Sequence, residues 1–242
     1  MKRVAVAAAV VGAAVLATGA SPARATNECR GLQVCVRVAG PWVVVPPAPR
    51  AQRPRVEFQL SCPRRFVVGG LDAELSDRAI DVRFYGKLGS PVNPGITTTR
   101  AAVFVASYAG TGGRAVTFRP HIGCIPASGG GGGPVPYRIA ETAAAAPFPP
   151  GEPTTRRVRT VRPRAGATQT AALGCAAGER LVGGWHAVGF ETTSAPSAGL
   201  VSAIAATRVV RANRVTVSIR SSLALRGVRA VVQVGAVCAG GS

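Results

Sequence analysis

Lysine is almost missing from this chain. Only Lys2 and Lys87 occur, so nearly all of the 29 cationic side chains are arginine. Acids are scarce as well, ten in all, and the formal net charge at pH 7 is +19. Aromatic residues make up 5% of the sequence, which leaves Val, Ala, Leu and Ile to build the core. There are two histidines, His121 and His186, so no His-rich zinc cluster can form. The chain has no G-x-S-x-G elbow, no H-E-x-x-H helix and no phosphate-loop or dinucleotide fingerprint. Those absences remove the usual signatures of serine hydrolases, zinc peptidases and nucleotide binders. A triad assembled from distant residues leaves no local signature, and nothing argues for one. Beyond residue 25, no apolar run reaches the ~20 residues of a membrane span.

What is present starts with a leader. Lys2 and Arg3 form a basic end, Val4 to Ala17 is apolar, and Ala23-Arg24-Ala25 is an A-x-A cleavage signal. The pattern reads as a secretory signal peptide over 1–25. Cleavage there removes three cations and no acid, taking the net charge from +19 to +16. The six cysteines of an exported chain read as a disulfide framework, with no thiol left for chemistry.

A short stretch occurs twice. Cys62-Pro63-Arg64-Arg65-Phe66-Val67-Val68-Gly69-Gly70-Leu71-Asp72 has its counterpart in Cys175 to Trp185-His186, with His186 at the Asp72 position. About sixty residues on, each copy meets a second cysteine, Cys124 or Cys238. The repeat therefore pairs Cys62 with Cys124 and Cys175 with Cys238, leaving Cys29 for Cys35. Val56, Phe58, Leu60 and Cys62 alternate with polar residues, as do Val215, Val217 and Ile219, which is the period of half-buried strands. In each copy the last cysteine falls on the apolar parity.

The fold class that follows is all-β: two tandem, disulfide-closed, β-sandwich-like repeats behind a small N-terminal strand segment. The alternative is two repeats sharing one larger sandwich. The chain divides into a leader (1–25), a disulfide-looped strand segment (26–55), a first repeat (56–125), a Gly-, Pro- and Arg-rich linker (126–168) and a second repeat (169–242). Phe66 to Val68 reads as a strand ended by Gly69-Gly70, two glycines that suggest a bulge or a close backbone approach. Pro120 reads as the mark of an edge strand.

The Cys-Pro start, the Val-Val-Gly-Gly strand and the closing Cys resemble a β-repeat of secreted proteins from high-GC Gram-positive bacteria. The resemblance covers 56–124 and 169–238. Many relatives have a third glycine where this chain has Leu71 and Trp185. It implies export and the β fold, and it carries no site residues.

Three stretches are candidates for function. Arg156, Arg157, Arg159, Arg162 and Arg164 lie within nine residues, without an acid among them. Pro163 and the Pro-Gly flanks argue that they sit exposed on a flexible tether and attract polyanions. Asp72, Asp77 and Asp81, with Glu74, concentrate four of the ten acids after the first Gly-Gly. Gathered together they could hold Ca²⁺ or act as a glycosidase-like acid pair. Apart, they are a solvated loop paired with arginines such as Arg78 and Arg83. The third stretch, Gly89 to Gly95, is a turn-rich loop missing from the second copy. Trp42 and Trp185 read as core residues.

The sequence thus points to a secreted, non-enzymatic, monomeric protein without a cofactor. It would bind anionic envelope polymers or polysaccharide and touch nucleic acid only non-specifically. A secreted hydrolase using the acidic loop, or a purely structural extracellular module, are the alternatives.

Overall fold

One unit of six strands is built twice. The structure, a computed structural model, describes residues 26–32, 34–47, 54–85, 100–111, 113–127 and 154–240. The first unit comprises β1 (Val36–Ala39), β2 (Trp42–Val45), β3 (Arg55–Ser61), β4 (Phe66–Leu75), β5 (Ile80–Tyr85), β6 (Ala101–Tyr108) and β7 (Val116–Pro126). The second comprises β8 (Thr154–Val161), β9 (Thr168–Gly174), β10 (Glu179–Phe190), β11 (Ile204–Arg211), β12 (Arg214–Ser221) and β13 (Ala230–Gly240). A short helix, α1 (Ala198–Ser202), capped by the Ser197 hydroxyl, leads into β11.

Registers match the units residue by residue. In the first, β7 pairs with β4 on one side and with β1 and then β2 on the other. In the second, β13 pairs with β10 on one side and β8 on the other. So β1 and β2 act as one strand broken at Gly40-Pro41, and β8 is its counterpart. Arg37 opposite Gly123 corresponds to Arg156 opposite Val237.

The linker expected over 126–168 is therefore corrected at its C-terminal end. Thr154 to Val161 is the first strand of the second unit, and the segment before residue 56 supplies the first strand of the first unit. The glycine-rich and most of the proline-rich part of that stretch, 128–153, lies outside the described residues.

The two halves are also not separate sandwiches. One sheet runs β4-β7-β2-β10-β13-β8, joined across the units where Val43 faces Gly189 and Trp42 faces Phe190. Two three-stranded sheets, β3-β6-β5 and β9-β12-β11, pack on it. Alternate residues of a strand point to opposite faces. In β2, Val43 and Val45 enter the core with Phe58, Phe104 and Phe118, while Val44 packs on the core of Val215, Val217 and Val232. The two small sheets thus cover opposite faces of the long one. The all-β class holds, in the form where the repeats share a sheet.

The three disulfides are Cys29–Cys35, Cys62–Cys124 and Cys175–Cys238. The last two each tie a small sheet to the long one, in a buried position on β7 or β13.

Two local readings change. β4 does not stop at Gly69-Gly70 but runs through a bulge between Val68 and Gly70. The matching bulge in β10 lies between Leu181 and Gly183. Asp72 opposite His121 then corresponds to Trp185 opposite Gly235, so Trp185 takes the Asp72 position and His186 the next one. Pro120 sits in a central strand, not at an edge. Its missing N–H falls where the partner strand breaks, and its carbonyl accepts from Gly40 N at 2.8 Å.

The turn before each bulged strand needs a left-handed residue. The second unit uses Gly178, φ 81°, and the first places Arg65 there, φ 68°. A Cβ in that region costs roughly 1–2 kcal/mol. Arg65→Gly should therefore stabilise the fold by up to about 1 kcal/mol once the entropy of the glycine is subtracted, seen as a higher urea midpoint. A lower midpoint would refute the strain.

Candidate functional site

The five arginines of 156–164 do not lie on a tether. Arg156 and Arg157 are β8 residues on opposite faces. Arg156 donates to Glu57 at 2.6 Å and stacks over Trp185 at 5.3 Å from the ring centroid. Its side chain is only 15% exposed. Burial pulls its pKa below the ordinary value, with the Glu57 carboxylate acting in the other direction. Arg157 donates to both oxygens of Glu179, at 2.7 and 2.9 Å. Arg159 reaches the Ala172 carbonyl, and Arg162 pairs with Glu191 at 3.3 Å. Sequence proximity hid these partners, because Glu57 is 99 residues away. Of the five, Arg159 and Arg164 are exposed and make no ion pair among the described residues.

The acidic stretch does not converge. Asp72 accepts from Asn27 N at 2.6 Å and from Ala73 N at 2.8 Å. Asp77 caps the turn after β4 by accepting from Ala79 N, and pairs with Arg114 at 3.1 Å. Those bonds hold its carboxyl below the usual range, the Ala79 N–H contributing most. Asp81 pairs with Arg83 at 3.4 Å. Among the described residues, the one gathering of three His, Cys, Asp or Glu ligand atoms is Cys175, Glu179 and Cys238, whose sulfurs are bonded to each other. Asp72, Asp77 and Asp81 thus form no common cation cradle. Gly89 to Gly95 lies outside the described residues. Trp42 and Trp185 are buried, as expected.

A different surface stands out, the outer side of β9-β12-β11. The second unit, from residue 154 to 240, contains twelve arginines and two glutamates. Glu179 is taken by Arg157, and Glu191 by Arg162 and Arg229. Within 154–240 no carboxylate is left for the small sheet. Val215, Val217 and Ile219 of β12 face the core, so Arg214, Thr216, Ser218 and Arg220 face outward. Register places Thr170 and Thr207 on either side of Ser218, and Thr168 and Ala205 beside Arg220. Arg214 has Arg211 as its direct partner across the hairpin.

The result is a face of five hydroxyls, with the exposed Val209 beside Thr216 and arginines at both ends. Arg214 and Arg220 are six residues apart, roughly 20 Å along the strand. Arg211, Arg214 and Arg220 are exposed and make no ion pair among the described residues. Asn213 fixes the hairpin end: its amide donates to the Glu179 carbonyl at 2.7 Å and accepts from Leu181 N at 2.6 Å.

Guanidinium forks bind carboxylate, sulfate or phosphate in two-point fashion, and hydroxyls exchange hydrogen bonds with sugars. No aromatic side chain lies among the outward residues of these three strands, so bases have nothing to stack on. The alternation Arg214-x-Thr216-x-Ser218-x-Arg220 was visible in sequence. What it lacked there was the register that sets Thr170 and Thr207 beside it.

No family model matches the chain, no curated protein matches it, and no solved structure matches it.

Proposed function

We propose that this chain is an exported, non-enzymatic binding protein, cleaved after Ala25, that holds anionic polysaccharide at the cell envelope. The observation that carries this reading is the acid-free hydroxyl face of β9-β12-β11 with Arg211, Arg214 and Arg220 at its ends. An unbalanced cationic face attracts polyanions and loses them as salt rises. The A-x-A leader, three disulfides and the resemblance to secreted β-repeats of high-GC Gram-positive bacteria support export. Among the described residues no helix is long and apolar enough to cross a membrane.

The test is retention on an immobilised uronate or phosphate polysaccharide across a salt series. Changing Arg211, Arg214 and Arg220 together to Ser should abolish most retention and flatten the logarithmic salt slope by about 2–3, the share of three contacts. The melting temperature should stay put, since exposed side chains without partners contribute little. Unchanged retention would move the binding face elsewhere.

A further inference from the structure

The N-terminal segment packs on the outer face of β1-β7-β4, and the chain is shaped to receive it. A Cβ on Gly70 would lie 1.8 Å from the Glu28 carbonyl oxygen, and one on Gly123 2.2 Å from it. Both glycines are thus required by the close approach of this segment. Asn27 N donates to Asp72 at 2.6 Å. Glu28 is 2% exposed, and its Oε2 has no partner. Its other oxygen stands 3.7 Å from Arg37 and 4.0 Å from His121. His121 Nε2, also without a hydrogen bond, faces Glu74 at 3.7 Å.

The charges here do not balance. The segment brings Glu28, and β4 brings Asp72 and Glu74. Against these three carboxylates stand Arg37 from β1 and Arg119 from β7. Arg119 is turned toward the carbonyls of Gly40 and Thr193. Arg30, in the segment itself, makes no ion pair among the described residues. Burial holds the His121 pKa below its ordinary value despite the acids around it, so the imidazole is neutral at pH 7. With Arg30 unengaged, three carboxylates here face two arginines, although the chain as a whole carries a net charge of +19.

We propose that the missing cation is the chain's own α-ammonium, created at Thr26 by cleavage after Ala25 and docked against Asp72. The inference rests on the export reading above. Covalent geometry limits the distance between successive backbone nitrogens to about 3.7 Å. The Thr26 nitrogen therefore lies within about 6 Å of the Asp72 carboxylate that Asn27 N already touches. Before cleavage that nitrogen is a neutral amide. Afterwards it carries a charge beside a carboxylate that has no guanidinium partner among the described residues.

An ammonium stabilised in this way titrates above its unfolded value of about 7.7–8.0. Its contribution is complete below that value and is lost as pH rises through the folded pKa. The experiment compares the mature chain from Thr26, with a free amine, against the same chain acetylated at that nitrogen. The free amine should titrate about one unit above the ordinary value. Cys29–Cys35 should be reduced by dithiothreitol roughly tenfold more slowly at pH 7 than in the acetylated chain. The gap should close by about pH 10 and should be absent when both forms carry Asp72→Asn. Equal rates at pH 7, or a gap that persists in Asp72→Asn, overturn the proposal. N-terminal sequencing of the exported protein tests the cleavage itself. A start away from Thr26 removes this proposal and the cleavage site but leaves the binding reading standing, and a start at Thr26 with equal rates removes this proposal alone.

Discussion

Replacing Cys175 and Cys238 by Ser should destabilise the whole protein, not its second half alone. The bridge closes a loop of 63 residues, worth about 4 kcal/mol in the chain-entropy model. That is a large share of the 5–15 kcal/mol that holds a typical domain together. In two independent modules the first would keep its own transition. Here β2 of the first unit lies between β7 and β10 in one continuous sheet. The open edge of β3 is also closed by the second unit: Gln233 accepts from Gln59 N at 2.7 Å and donates to the Gln59 carbonyl at 2.9 Å. Urea unfolding followed separately in the two halves, by hydrogen exchange, should show one shared midpoint that falls in the variant. A first half that unfolds at its old midpoint would show that the shared sheet does not couple the halves.

The second large effect concerns Arg156, which the sequence offered as a ligand for polyanions. Arg156→Ala should cost about 2–3 kcal/mol, the scale of a charged hydrogen bond with a cation–π contact. Glu57 keeps a third of its side-chain surface in water, which holds the loss below that of a fully buried pair. Arg156→Lys should recover only part of it, because an ammonium cannot reproduce the planar fork over Trp185. Retention on anionic polysaccharide, measured on the folded variants, should not change. If retention falls while stability holds, Arg156 belongs to a binding surface and the arrangement described for β8 is wrong.

The parts of the fold that follow local rules were legible. Alternation gave most strands, and the cysteine spacing within each copy gave the three bridges. The Gly-Gly pair was half legible. It signals a bulge or a close backbone approach, and both are present, but it does not end the strand. Aligning glycine with glycine also shifted the second copy by one residue and set His186, not Trp185, opposite the Asp72 position. The first strand of the first unit was read as a strand segment but set apart from the repeat, and that of the second unit was missed for a different reason. Thr154 to Val161 alternates, but five arginines and the prolines around it outweigh that pattern. Its strand character comes from pairing with β13, and its charge is answered by Glu57, Glu179 and Glu191, all distant in sequence. The same long-range register creates the hydroxyl face, so the candidate site was visible as residues but not as a surface.

The way the halves join bears on how copies of this protein meet. β10 is the counterpart of β4, and β2 with β1 that of β8. The internal seam therefore joins one kind of edge to the other kind, and the two outer edges of the long sheet are again one of each. Crossing the seam reverses strand direction and moves the covering sheet to the opposite face. Repeating that step traces a screw axis, which never closes and leads to open filaments. Both ends carry a stop. Beyond β8 the chain passes through Arg162, Pro163 and Arg164, and proline and charge are the devices that blunt an exposed edge. At the other end, β10 runs on to Phe190 to meet β2, whereas β4 finishes at Leu75 and the chain turns away. Asp77 holds that turn through Ala79 N and Arg114. The carboxylate that looked like a metal ligand thus helps to stop the sheet from growing past two units.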